Sequence, residues 1–232
     1  MAKGIIYIMT TVVPGLIKIG KTGSSQFEVR MHELEHNGYR NVTGLKRSFA
    51  IEVNDYDEKE KLLHVIFEKS QVSDTELFAV DINIAIQLLS SFDGKMIYPI
   101  SETKDEVFDE AADNSKSKLI PNGTYTFERK KKSENNKTIK ATAVIQNGFW
   151  TLLKGSVLGI VENAGVSKKA KQARNNMQID KNGKLLEDYE LGECAPSFAG
   201  DVVMNASVDG WTEWKNKDGK PVDIYRSKEN EQ

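Results

Sequence analysis

At 232 residues, with 39% hydrophobic and 28% charged side chains, the chain has the composition of an ordinary globular protein of one or two domains and excludes a disordered or fibrous polymer. The lone cysteine, Cys194, excludes an internal disulfide and any cysteine-based zinc site. No run approaches the ~18–20 apolar residues of a membrane span, and the opening MAKGIIYIM lacks the apolar length and cleavage site of a signal peptide. A cytoplasmic protein with no membrane partner is the expectation.

Gly4–Met9 and Leu16–Gly20 alternate with period two and predict a hairpin, with Pro14-Gly15 as the turn signal between them. From Ser25 the spacing turns helical. Phe27, Met31 and Leu34 share one face, Ser24 or Ser25 is the expected N-cap, and Asn37-Gly38 closes the helix. Leu45–Val53 predicts a third strand. Asp57–Lys69 predicts a second helix with Leu62, Val65 and Ile66 buried, and Asp81–Ser91 a third. This order gives an α+β unit over residues 1–98. Residues 99–120 gain Ser, Asp, Glu and Asn and predict an acidic linker. Strands are then expected at Thr124–Arg129, Lys137–Gln146 and Phe149–Leu153, with Asn147-Gly148 as a hairpin turn. Helices at Ala170–Met177 and Ser197–Ala206 complete a second small α+β domain over 121–226, ahead of a polar tail at 227–232.

The formal net charge of −2 conceals an uneven distribution. Residues 1–98 carry 11 basic and 13 acidic side chains (−2), residues 99–120 carry 3 and 6 (−3), and residues 121–226 carry 17 and 13 (+4). Within the last part, residues 121–174 hold 11 basic against 3 acidic groups, a local +8 that permits binding to phosphate.

The blocks Gly4-Ile5-Ile6-Tyr7-Ile8 and Lys18-Ile19-Gly20-Lys21-Thr22 resemble the paired motifs of GIY-YIG nucleases, in the branch of phage and bacterial genomes whose second motif reads K-I-G-K-T. The likeness continues through Arg30, Leu63-His64-Val65-Ile66-Phe67 and Thr75-Glu76-Leu77-Phe78-Ala79-Val80, and covers about residues 3–90. It implies a small antiparallel three-stranded sheet flanked by helices, and an endonuclease that hydrolyses DNA phosphodiesters. Such chemistry needs an activated water, a cation on the phosphoryl oxygens and relief of charge on the leaving oxygen. Carried over residue by residue, the catalytic set is Tyr7, Lys18, Arg30, His64 and Glu76, with Glu76 as the ligand of Mg²⁺ or Mn²⁺ and Lys21 as a phosphate contact. Lys18 stands where the name-giving tyrosine would. Its ammonium is expected to lower the pKa of the Tyr7 phenol and make it a base.

Residues 120–226 resemble an uncharacterised domain that trails such nucleases, and more loosely domains of restriction and methylation systems. Lys130, Lys131, Lys132, Lys168 and Lys169 are its candidate nucleic-acid contacts, and Phe149, Trp150, Trp211 and Trp214 are either stacking surfaces or core. Two-strand cleavage would require two active sites, which makes a homodimer an option. Two other classes of function stand beside the enzyme: a non-catalytic DNA-binding or modification-reading protein, and an assembly subunit of a defence system.

Overall fold

The computed structural model describes residues 2–226 and separates into two compact units, divided between Ser115 and Lys116. Both are α+β, each built on a five-stranded antiparallel sheet.

In the first unit, β1 (Lys3–Thr10) pairs with β2 (Leu16–Gly23) and β3 (Lys46–Asn54), the three strands anticipated from alternation. Two edge strands widen the sheet, β4 (Leu77–Ala79) beside β2 and β5 (Lys95–Tyr98) beside β3, giving the order β4-β2-β1-β3-β5. Both are too short to show a period.

The sheet is covered on both faces. Ile5, Tyr7 and Met9 pack with Phe27, Met31 and Leu34 of α1 (Phe27–Asn37). Ile6, Ile8, Ile17 and Ile19 pack on the other side with Leu63 and Phe67, the former on α2 (Tyr56–Ile66), and with Ala85 and Leu89 of α3 (Ile82–Ser90). Arg47 on β3 forks onto Glu35 (2.9 and 3.0 Å) and Glu28 (2.9 Å), tying α1 to the sheet. The serine cap is not used: a short 3₁₀ turn at Ser24–Gln26 precedes α1, and the Ser24 hydroxyl donates to Glu52 instead.

Helix α2 is rotated from the expected orientation. Leu62, Val65 and Ile66 face solvent, while Glu60 and Leu63 are buried. The Tyr56 ring lies directly over Gly4, where any Cβ would come within 2.5 Å of it. That contact fixes the start of the helix and turns the stripe Glu60, Leu63 and Phe67 inward.

The expected linker is largely helix α4 (Lys104–Ser117). Val107 enters the first core, and the Gln87 amide donates to Ala111 O (3.3 Å) and Ser115 Oγ (3.0 Å). Its apolar positions are few among many acidic ones, so composition alone hides it.

The second sheet has the order β10-β6-β7-β8-β9, from β6 (Gly123–Lys131), β7 (Lys137–Gln146), β8 (Phe149–Leu152), β9 (Tyr189–Glu193) and β10 (Trp214–Lys215). Asn147 (φ 51°) and Gly148 (φ 81°) make the β7–β8 turn, where two successive positive φ angles suit a tight hairpin. Helix α5 spans Lys168–Asn175, the buried α6 spans Pro196–Met204, and the short α7 spans Gly210–Glu213. Trp150, Trp211 and Trp214 are all fully buried in this core, so they form packing and not stacking surfaces. Among the described residues, no helix is long and apolar enough to cross a membrane.

Candidate functional site

On the α1-facing side of the first sheet, Lys18 and Tyr7 meet among the apolar side chains of Ile5, Met9 and Ala50. Strand pairing sets Tyr7 opposite Gly20 and Met9 opposite Lys18, so the phenol and the lysine share a face with Gly20 between their heads. A Cβ at Gly20 would lie 2.6 Å from the Tyr7 hydroxyl and 2.8 Å from Lys18 Nζ. A side chain there would have to displace both heads.

Lys18 is fully buried, an unusual place for an ammonium. Its Nζ pairs with Glu76 Oε2 and lies over the rings of Tyr39 (4.4 Å to the centroid) and Tyr7 (5.3 Å). Desolvation pulls its pKa below the ordinary lysine value, against the opposing pull of Glu76. Glu76 is placed by backbone bonds on both sides. Its N–H donates to the Tyr39 hydroxyl (3.2 Å), and its carbonyl accepts from Ile19 N–H (3.1 Å). The carboxylate is 37% exposed, and among the described residues no donor reaches Oε1.

Arg30, projecting from α1, lies beside the Tyr7 phenol and 3.4 Å from Glu33. This corrects the expected electrostatics. Burial raises the pKa of Tyr7 above the ordinary tyrosine value, and the group that opposes this is Arg30, not Lys18. Tyr7 is therefore a neutral phenol at physiological pH.

Lys21 and His64 lie elsewhere. Alternation along β2 puts Lys21 on the α2 side of the sheet, where it bridges Asp57 (2.8 Å) and Glu60 (3.2 Å). His64 Nε2 sits 3.2 Å from Glu60 Oε1 without the alignment of a hydrogen bond, and its ring meets the edge of Phe78 (5.0 Å). The structure thus joins Tyr7, Lys18, Arg30 and Glu76, and gathers Lys21 and His64 around Glu60, whose charge still reaches Tyr7 and Lys18. Tyr39 and Glu60 carried no signal in the sequence. Tyr39 follows the helix-closing Asn37-Gly38, outside any periodic segment, and Glu60 reads as one more solvated charge on a helix.

In the second unit, Lys130, Lys132, Lys168 and Lys169 are exposed. Lys131 is not. It is buried, with Nζ donating to Met204 O and Val161 O and lying 3.3 Å from Glu134, so it holds the fold and is withdrawn as a nucleic-acid contact. Alternation along β6 turns it toward the core, between outward-facing Lys130 and the turn that begins at Lys132.

Residues 4–93 match the T5orf172 domain. That segment contains every group of the Tyr7–Lys18–Arg30–Glu76 cluster together with Tyr39 and Gly20. Residues 132–226 match a domain of unknown function, DUF4357, which takes in most of the second unit. No curated protein and no solved structure matches the chain.

Proposed function

We propose that the T5orf172 segment is a metal-dependent endonuclease of the GIY-YIG type that hydrolyses DNA phosphodiesters, and that the DUF4357 segment helps hold the nucleic acid. One observation carries the reading: Tyr7 and Lys18 meet at Gly20, with Arg30 beside the phenol and the part-exposed Glu76 carboxylate on the lysine, so side chains from β1, β2, α1 and the approach to β4 set two cations and a phenol beside Glu76. Perturbed, partly desolvated groups gathered from distant segments are what chemistry at a phosphate requires.

The donor set fits Mg²⁺ or Mn²⁺ bound by one protein carboxylate, because Glu76 keeps Oε1 open on the solvent side and hard divalent ions complete their shells with water and phosphate oxygens. Such an ion would polarise the phosphoryl group and lower the pKa of water. Lys18 fixes the Glu76 carboxylate through Oε2 and offsets its negative charge. Arg30, beside the Tyr7 phenol, offers its fork to the phosphate. Kept neutral by burial, the phenol can donate its O–H to a water or a phosphoryl oxygen. Tyr7 so orients a reactant and does not begin as a base.

The test is nicking of supercoiled plasmid by the full chain. Glu76→Gln should lower the rate by roughly 100-fold or more, with thermal unfolding measured alongside because the change leaves Lys18 without its partner. Undiminished cutting in excess chelator, or by a folded Glu76→Gln variant, would sink the proposal.

A further inference from the structure

Antiparallel sheets that pack one face on a core normally present polar side chains on the other. The second sheet departs from this at one place. Strand register sets two rows across β7, β8 and β9: Gln146–Phe149–Glu193, and Val144–Thr151–Glu190. Their inward neighbours Trp150 and Leu152 are fully buried, so both rows lie on the outer face. Phe149 is 52% exposed there, although the strand holds its backbone fixed. Phe149, Val144 and Leu153, together with Gln146, Thr151 and Glu190, line an open groove of about 520 Å³, within the ~300–1,000 Å³ of small-ligand sites.

The register shifts between Trp150 and Thr151, which leaves Leu191 as an extra residue on β9 and re-aims Glu190 toward the groove. Gly192, at φ 80°, leaves open space above the strand, with nothing within 4 Å of where a Cβ would stand. Glycine in a strand marks a bulge or a close approach by a ligand.

We propose that this groove binds an unpaired nucleobase, with Phe149 as its stacking platform and Gln146 and Glu190 reading its edge. Charge selects the occupant. Glu190 repels phosphate, so the groove takes the base and not the backbone, and a carboxylate accepts from an exocyclic amino group, as on cytosine or adenine. Gln146 adds an amide with both donor and acceptor. A base displayed on a sheet, stacked on an aromatic ring and held at its edge is the general mode of single-strand recognition. The proposal shares with the nuclease reading only its class of partner, since the groove lies wholly in the second unit.

The experiment is fluorescence-anisotropy binding of the full chain, in chelator, to short single strands of dA, dC or dT and to an abasic strand of equal length. Phe149→Ala should weaken binding of dA and dC strands by about 5- to 150-fold. It should leave the melting temperature, the abasic strand and the salt slope unchanged, because no phosphate contact is lost. Glu190→Gln should narrow the preference for dA and dC over dT. Equal affinity of wild type for abasic and base-bearing strands, or wild-type binding by Phe149→Ala, would overturn it. Divalent-dependent nicking is not read in this assay, so either proposal can fail without the other.

Discussion

Two lysines, one in each unit, are buried to nearly the same degree and serve different ends. Lys18 and Lys131 both lose their hydration, and burial draws the pKa of both below the ordinary lysine value. Their partners differ. Lys131 meets backbone carbonyls of α6 and of the loop at Val161, and Glu134 beside it accepts from the N–H groups of Ile160 (2.6 Å) and Val161 (2.9 Å). Every partner is part of the scaffold, so this charge closes a junction of the fold. Lys18 meets one carboxylate that is still part-exposed, two tyrosine rings and a glycine that keeps the space open. The Lys18 pair keeps one carboxylate toward solvent, whereas the partners of Lys131 all lie within the fold.

The largest expected effect belongs to the second core. Trp214 packs edge-on against Trp150 (5.2 Å) and Phe127 (5.3 Å), so Trp214→Ala should cost about 3–5 kcal/mol, seen as early loss of the second unit's transition in urea. Lys131→Met should be nearly as harmful, about 3–5 kcal/mol, because it strands the Met204 and Val161 carbonyls and leaves Glu134 short of a cation.

Lys18→Met sharpens the contrast. It should cost only about 1 kcal/mol of stability, since Glu76 can turn to water, yet slow nicking by roughly 100-fold. Equal stability losses for Lys18→Met and Lys131→Met would break the comparison. Tyr7→Phe should lower the nicking rate by a similar factor without moving the alkaline limb of the pH–rate profile, because the Tyr7 proton is held past the ordinary tyrosine range.

The smallest effect concerns a third desolvated charge. Burial pushes the Asp201 carboxyl up to about 6 from 3.8, even though it accepts from Val208 N–H (2.8 Å). The folded state therefore binds this proton more tightly than the unfolded state does. Its stabilising contribution is complete below pH 3.8 and is lost as the pH rises through about 6. Asp201→Asn should stabilise the second unit by about 1 kcal/mol at pH 7, reduced by the water that reaches the site, and by nothing below pH 3.8. Urea melts at both pH values check the sign.

The motif blocks placed Tyr7, Lys18, Arg30 and Glu76 in the sequence, and the structure brings those four together. Lys21 belonged to the same block, but strand alternation turns it to the α2 side of the sheet, onto Asp57 and Glu60. The Lys130–Lys132 run looked uniform for the same reason: one-dimensional charge clustering does not say which member a strand turns inward. Tyr39 and the Phe149 groove depend on pairing between distant segments, which leaves no periodic mark.

Local forces, legible in the chain, determined β1, β2, β3, α1, the Asn147-Gly148 hairpin and the α+β class of both units, because alternation, helical spacing and turn chemistry act over a few residues. Contacts between remote parts decided the rest. Tyr56 over Gly4 rotated α2, Val107 recruited α4 into the first core, and three tryptophans filled the second core. Burial is a property of what packs against a residue, and that partner is chosen by the fold and not by the residue's neighbours in sequence.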